Sequence, residues 1–361
     1  MIRYALLPAV LALCACTVGP DHEPPIQPLA ATFAEGDAQP VGDAALQSWW
    51  RSYDDALLSE LVQAGLRQNL DIRTALSRVA EAQAAARATG LPAQVSGGLT
   101  ADTIRAGGEE ISGTTNTSGA IFAPALMLDL FGGERRSREA ALADLQAAEL
   151  GVGTARLALL SALVSNYIDL RYYQNALAIS RETVATRRDT LSLVQSQREA
   201  GAATALDEAQ AQAALDEAQA TLPGLEQGYY AATYAIATLL AQPAQGLEAR
   251  LQRGAAQPRP GSSASAGVPA DLLRNRPDLR AAEAELAAAT ARIGVSEAQL
   301  YPSLRLGGTV STFEGVNSWS YGPQLSIPVL NQGVLRANRD AAVAQAQQAE
   351  LGWRGAVLGA V

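Results

Sequence analysis

The stretch Trp319-Ser-Tyr-Gly-Pro-Gln-Leu-Ser-Ile-Pro-Val329 alternates strictly. Trp319, Tyr321, Pro323, Leu325, Ile327 and Val329 fall on one parity, and Ser320, Gly322, Gln324, Ser326 and Pro328 on the other. A period of two predicts a strand with one apolar face and one wet face. Its partner is Leu304-Arg-Leu-Gly-Gly-Thr-Val-Ser-Thr312, joined to it by a polar turn rich in Gly, Asn and Ser. Both flanks, 278–299 and 333–351, are rich in Ala, Glu, Gln and Arg, a helix composition. The unit is helix, hairpin, helix.

The same unit occurs earlier in the chain. Asp71-Ile-Arg73 corresponds to Asp278-Leu-Arg280, Leu91-Pro-Ala93 to Tyr301-Pro-Ser303, and Gln146-Ala-Ala-Glu-Leu150 to Gln347-Gln-Ala-Glu-Leu351. Strand candidates lie at 94–103 and 118–130, the latter with Leu126, Leu128 and Leu130 on one parity. A spacing of about 200 residues is too long for a solenoid and reads as a two-fold pseudo-repeat. The chain thus supplies four strands of about 10 residues, the length of a transmembrane β-strand, with Trp319 and Tyr321 placed as an interface girdle. No uninterrupted apolar run is long enough for a spanning helix. Four strands cannot close a barrel, and lipid does not tolerate unpaired sheet edges. The strands must then be shared between chains, and three chains give about twelve. A soluble sheet packed on a core is the other reading of these hairpins.

Between the hairpins lies the longest helix. Leu163, Leu170, Leu177, Val184 and Leu191 recur every seventh residue, and Leu145, Val152 and Leu159 form another such row. This predicts coiled-coil packing against neighbouring helices. At 1.5 Å per residue the run from Gly133 to Gly201 is roughly 100 Å long. Gly201-Ala-Ala-Thr204 breaks it, and Thr204, with Glu208 a turn later, caps a returning helix that reaches about Leu240 with a kink at Pro223. Residues 49–90 carry one helical pattern, 242–269 read as a linker or surface band, and Pro277 suits a first helical turn. The fold class is a mixed α+β membrane protein: long coiled-coil helices, as a duct or a stalk needs, plus a shared transmembrane β-barrel; the resemblance given below makes the helices an α-helical coiled-coil barrel.

Composition narrows the function. The chain has 361 residues, a formal charge of −9 and no lysine. Nucleic acid is a poor partner for that charge, and a P-loop or Schiff-base lysine is excluded. Cys14, Cys16 and the single histidine, His22, all lie in the first 22 residues, which leaves the remainder without thiolate or imidazole chemistry. No catalytic constellation and no cofactor or metal site is predicted. Arg3 and the apolar segment 4–15 form a signal too short to span a bilayer. Its end, Leu13-Cys14-Ala15-Cys16, resembles a bacterial lipoprotein signal, which implies cleavage before Cys16, acylation there and, with Thr17 next, an outer-membrane address. The segments are then a signal at 1–15, an extended tether at 16–45, a first repeat at 46–241, a linker at 242–270 and a second repeat at 271–361.

At this point the whole chain resembles the TolC-like outer-membrane efflux proteins, in their NodT/OprM-type lipoprotein branch serving RND-type pumps. The residues that carry this are Cys16-Thr-Val-Gly-Pro-Asp21, Trp49-Trp-Arg-Ser-Tyr-Asp-Asp-Ala-Leu57, Asn275-Arg-Pro-Asp-Leu-Arg280, Ile293-Gly-Val295, Tyr301-Pro-Ser-Leu304, Tyr321-Gly-Pro-Gln-Leu-Ser-Ile-Pro328 and Asn331-Gln-Gly333. The resemblance implies a homotrimer with a 12-stranded barrel in the outer membrane and a helical barrel in the periplasm. It also implies a periplasmic adaptor protein and an inner-membrane RND transporter as partners. The adaptor-contacting helix tip is then Arg198, Gly201, Ala202, Ala203 and Thr204. One departure is plain: the first repeat runs some 90 residues past Leu150, and the second only 10 past Leu351. By this symmetry the second repeat is truncated; the resemblance implies that the missing part includes the residues that constrict the periplasmic aperture, and a non-functional remnant is one reading. Other readings are a type I secretion duct and a trimeric coiled-coil adhesin.

Overall fold

The computed structural model describes residues 17–31, 48–108, 111–261 and 269–361. The predicted signal, Cys16 and residues 32–45 of the predicted tether lie outside these. The chain divides into two compact units: Met1–Phe33, Leu76–Gly151 and Val268–Val361 form the first, Ala34–Ala75 and Val152–Gly267 the second.

In the second unit a 3₁₀ turn, Trp49–Tyr53, leads into α1, Ala56–Gln68. Asp55 caps α1 by accepting from the Leu58 amide at 2.9 Å. The single helix expected over 49–90 is broken at Asn69, where α1 gives way to α2, Leu70–Arg87. The physical reason is a side chain that competes with the backbone. Buried Asn69 accepts from the amides of Asp71 and Ile72 at 2.9 and 3.1 Å and donates to the Leu239 carbonyl at 2.9 Å.

The long helix is continuous: α4 spans Gly133–Glu199, 67 residues, after a four-residue α3 at Leu91–Gln94. Its row Leu163, Leu170, Leu177, Val184 and Leu191 is buried throughout, as the heptad spacing demands. It returns as α5, Ala205–Leu239, with Pro223 inside the helix. The core joins Leu58, Leu61 and Val62 of α1 with Leu160, Leu163, Tyr167 and Leu170 of α4 and Ile236 of α5. Leu247 and Leu251 also enter it, from α6, Ala244–Leu251. The segment 242–269, read as a linker or surface band, starts with this helix, whose two leucines four residues apart occupy one buried face. One 18-residue window of α4 is apolar enough in length and composition to cross a membrane, which counting uninterrupted runs did not reveal. Yet α4 is the helix that supplies these core leucines.

A polar chain crosses the same core. The Tyr167 hydroxyl donates to Asp55 Oδ2 at 2.6 Å and accepts from Arg171 Nε and Nη2 at 3.1 and 2.8 Å. Arg171 Nη1 donates to the Arg253 carbonyl at 2.6 Å and to Gln174 at 2.7 Å. Burial, reinforced by the bond to Asp55, drives the phenol's titration far above its ordinary range, so it stays neutral.

In the first unit α7, Pro269–Asn275, precedes α8, Pro277–Ala298, with Pro277 in the first turn as expected. α8 packs on α9, Gln332–Ala360, through Leu279, Trp353 and Val357, with Leu29 of the N-terminal segment against them. The sheet between the helices is antiparallel. Strands β1 (Val95–Ser96) and β2 (Leu99–Gly108) pair with β4 (Ala125–Leu128) and β3 (Ile111–Phe122) respectively. Both β3 and β4 pair with one edge of β5 (Ser303–Phe313), whose other edge carries β6 (Val316–Ser326). Since β1/β2 and β3/β4 are interrupted strands, the sheet has four tracks, two from each hairpin.

The strand bounds differ from expectation. In the first hairpin residues 104–108 and 111–117 also pair, so the strands run farther out. In the second the polar turn contracts to Glu314 and Gly315, at φ 49° and 82°, the left-handed geometry of a two-residue hairpin loop. Ile327 and Val329 lie beyond β6.

Replacing Asn69 by alanine strands the Leu239 carbonyl and two amides, a cost of about 1–3 kcal/mol. The expected outcome is a thermal midpoint lowered by several degrees in detergent, measured by circular dichroism. Gln68→Ala, one residue away on the exposed side, is expected to be nearly silent in the same measurement.

Candidate functional site

In the second hairpin, and in the first up to the level of Leu99 and Phe122, one face of the sheet is apolar and the other mainly polar. On one, Leu99, Phe122, Val310 and Trp319 share a level across the four tracks. Leu126, Leu306 and Pro323 share another, nearer the helices, followed by Leu128, Leu304 and Leu325. Leu126 and Leu304 are half-buried and the others exposed, Trp319 at 72% and its face-mate Tyr321 at 79%. The two rings stack at 5.8 Å, and Tyr321 fits because the opposing residue is Gly308. At the helix end of the sheet Phe131 stacks on Tyr301 at 4.7 Å. Nine rises of about 3.3 Å separate Tyr301 from the Trp319 level, which at a tilt of 35–45° is about 23 Å of height. An outer-membrane barrel has an apolar band of about 25 Å bounded by two aromatic girdles.

The opposite face carries Arg305, Gly307, Thr309, Ser311, Ser318, Ser320, Gly322 and Gln324. The hydroxyls of Thr309 and Ser320 are 2.8 Å apart, and those of Ser311 and Ser318 2.7 Å. This is a wall for water. The outer edges of β6 and of β1/β2 have no partner strand among the described residues. Pro323 stands on one of these edges, where a missing N–H is tolerated.

Residues 17–21, the described start of the predicted tether, are fastened at the base of this sheet. The Val18 amide donates to the Phe131 carbonyl at 3.1 Å. Arg136 Nε donates to the Val18 carbonyl at 3.1 Å, and its Nη2 to the Gly19 carbonyl at 3.0 Å and to Asp21 at 2.7 Å. Glu139 completes the set by accepting from Arg136 Nη1 at 2.8 Å. Gly19, at φ +86°, lies against Gly294, where a Cβ would come within 2.4 Å of the Gly294 Cα. Two backbones touch here, and no side chain fits between them. Cys16, the predicted acylation site, lies outside the described residues and immediately precedes the fastened Thr17.

In the second unit the turn from α4 to α5 gathers the predicted tip residues. Gly201 adopts φ +76°, and the Ala202 amide donates to the Gln197 carbonyl at 2.7 Å, closing α4 as a left-handed glycine cap. Thr204 then caps α5. Its hydroxyl accepts from the Asp207 amide at 3.2 Å, and Asp207 accepts from the Thr204 amide at 2.8 Å. The partner in this box is Asp207, not Glu208, because the third helical residue reaches back to the cap. Glu208 instead pairs with Arg198 across the turn, beside Gln195. Hydrogen bonds from Thr204 lower the Asp207 titration, and the Arg198 bond lowers that of Glu208. Ala202 and Ala203 hold no side-chain bond and keep the turn small. His22 stands apart from these contacts, and no metal-holding cluster occurs among the described residues.

The family model described as outer membrane efflux protein matches residues 61–242 and 268–361. The chain belongs to this family. Nodulation protein T of Rhizobium leguminosarum bv. viciae is 42% identical over all of this chain and 76% of its own length. The pyoverdine export outer membrane protein OpmQ of Pseudomonas aeruginosa is 30% identical over 99% of the chain and 79% of its own. The solved outer-membrane channel OprN superposes with a TM-score of 0.82 at 31% identity, covering 95% of this chain and 80% of that one. As an outer-membrane efflux protein, the chain has an evident use for a sheet that is greasy outside and wet inside.

The opposed faces and the capped turn can each be tested. Leu306→Arg, on the apolar face, costs about 2–4 kcal/mol in lipid, whereas Ser320→Arg on the polar face costs little. The expected readout is loss of heat-modifiable, membrane-inserted protein on electrophoresis for the first variant only. At the tip, Thr204→Ala removes a cap of about 1 kcal/mol, raising amide exchange at 205–208 about fivefold with no effect at α1. Asp207 and Glu208 have lowered titrations, so their contribution is intact above the ordinary carboxylate range and is lost as pH falls through their folded values. Acidification therefore reproduces the Thr204→Ala exchange pattern.

Proposed function

We propose that this chain is the exit duct of a tripartite efflux pump, a passive conduit across the outer membrane rather than an enzyme. The single observation that supports it best is the four-track sheet with opposite faces and open edges. In lipid those edges need strands from other copies, and three chains give about twelve strands around a water-filled lumen. The helical part then lies in the periplasm. The α4–α5 turn, with Arg198, Gly201, Ala202, Ala203 and Thr204, meets a periplasmic adaptor that links the duct to an inner-membrane RND transporter. Cys16 carries the acyl anchor.

The cargo class is small molecules selected upstream. This reading is supported by relatives named for pyoverdine export, toluene efflux and solvent efflux. The test is complementation of a strain deleted for its own exit duct while retaining a cognate adaptor and transporter. The expected result is restored resistance to an amphiphilic dye, abolished by Leu306→Arg and weakened by Gly201→Val, whose left-handed backbone costs about 1–2 kcal/mol. Cys16→Ser should abolish palmitate labelling. Resistance that never depends on the chain, with the protein present in outer-membrane fractions, contradicts the proposal.

A further inference from the structure

In the second hairpin the polar face is built mainly from Gly, Ser, Thr and Gln with one guanidinium among them, and Ile121 and Met127 of the first hairpin share that face. Arg305 lies on β5 two residues after the strand begins, so it sits near the helix end of the sheet. Its parity is that of Gly307, Thr309 and Ser311, opposite to the lipid-facing Leu304 and Leu306. Gln324 on β6 and Met127 on β4 are its cross-strand neighbours. Its side chain is exposed, and Nη2 donates to the Ser96 hydroxyl of β1 at 3.0 Å. Among the described residues its partner is thus a hydroxyl rather than a carboxylate, and its charge stays uncompensated. Among the described strand residues the other charged one on this parity is Asp102, which shares a level with Gly119 and Phe313. Eight strand positions separate that level from Arg305, about 27 Å.

We infer that Arg305 determines the ionic preference of the duct, forming with its two copies a cationic ring at the inner mouth of the barrel that favours anionic solutes. This rests on the trimeric reading above. Twelve strands about 4.8 Å apart and tilted about 40° enclose a circle roughly 24 Å across. Arginine side chains reaching about 6 Å inward bring three guanidiniums to about 10 Å of one another, comparable to the Debye length of about 10 Å at 0.1 M salt. The ring's field therefore fills the opening at low ionic strength and is screened at high.

The experiment is single-channel recording of the full chain in planar bilayers under a KCl gradient, for wild type, Arg305→Lys, Arg305→Gln and Arg305→Glu. The expected result is a chloride-to-potassium permeability ratio that Arg305→Lys preserves, Arg305→Gln lowers about twofold or more, and Arg305→Glu lowers further. The differences should shrink as salt rises from about 0.05 to about 1 M, by the screening argument. Conducting Arg305→Gln channels with an unchanged ratio overturn the ring while leaving the duct reading intact. Failure of Arg305→Gln to assemble, where Arg305→Lys assembles, overturns it in favour of a structural bond to Ser96. A wild type that never conducts removes both the duct and its ring.

Discussion

A backbone amide or carbonyl in hydrocarbon has no water to turn to, and that constraint governs this chain. Four tracks of sheet leave two rows of such groups exposed, beside β6 and beside β1/β2. The apolar face with Trp319 and Tyr321 commits the sheet to lipid, and lipid in turn commits the edges to partners. Association is therefore part of folding for the first unit. The second unit has its own core of leucines and a polar chain through Tyr167, and its described residues form helices without a strand edge.

The helices follow different rules. Alanine and leucine at heptad spacing let α4 run for 67 residues, its buried row joining α1, α5 and α6 in one cluster from Leu163 to Leu177 and packing on α5 at Val184 and Leu191. Where it must stop, the chain uses the simplest available device: a glycine at positive φ, two small residues and a reciprocal Thr204–Asp207 cap. The charged pair Arg198–Glu208 then bridges the two helices at the turn.

Much of this was legible from periodicity. The alternation at 319–325, the heptads from Leu163 to Leu191 and the glycine break at Gly201 each follow from local geometry, which is why they survive intact. What escaped depends on side chains that meet over long sequence distances. Asn69 breaks a helix by bonding a carbonyl 170 residues away, and Arg136 grips Val18 and Gly19 across nearly 120. The contact of Gly19 with Gly294 has no sequence signal beyond two glycines, because its requirement is empty space. Asp207 was nearer to hand: the spacing Thr-x-x-Asp is that of a cap, though the eye goes first to glutamate. Arg305 was visible in the quoted strand, but its importance depends on knowing which face holds water.

The two hairpins are not mechanical equals. The second runs unbroken from Ser303 to Ser326, while the first is interrupted at Gly97–Gly98 and, on the adjacent track, at Ala123–Pro124. These interruptions adjoin, since a Cβ on Gly97 would lie 3.1 Å from the Pro124 Cα. Each chain thus contributes one smooth stave and one creased stave to the wall. A hoop assembled from alternating staves flexes at the creases, giving three soft seams and three stiff panels, so any widening of the bore follows the symmetry of the subunits rather than that of the strands.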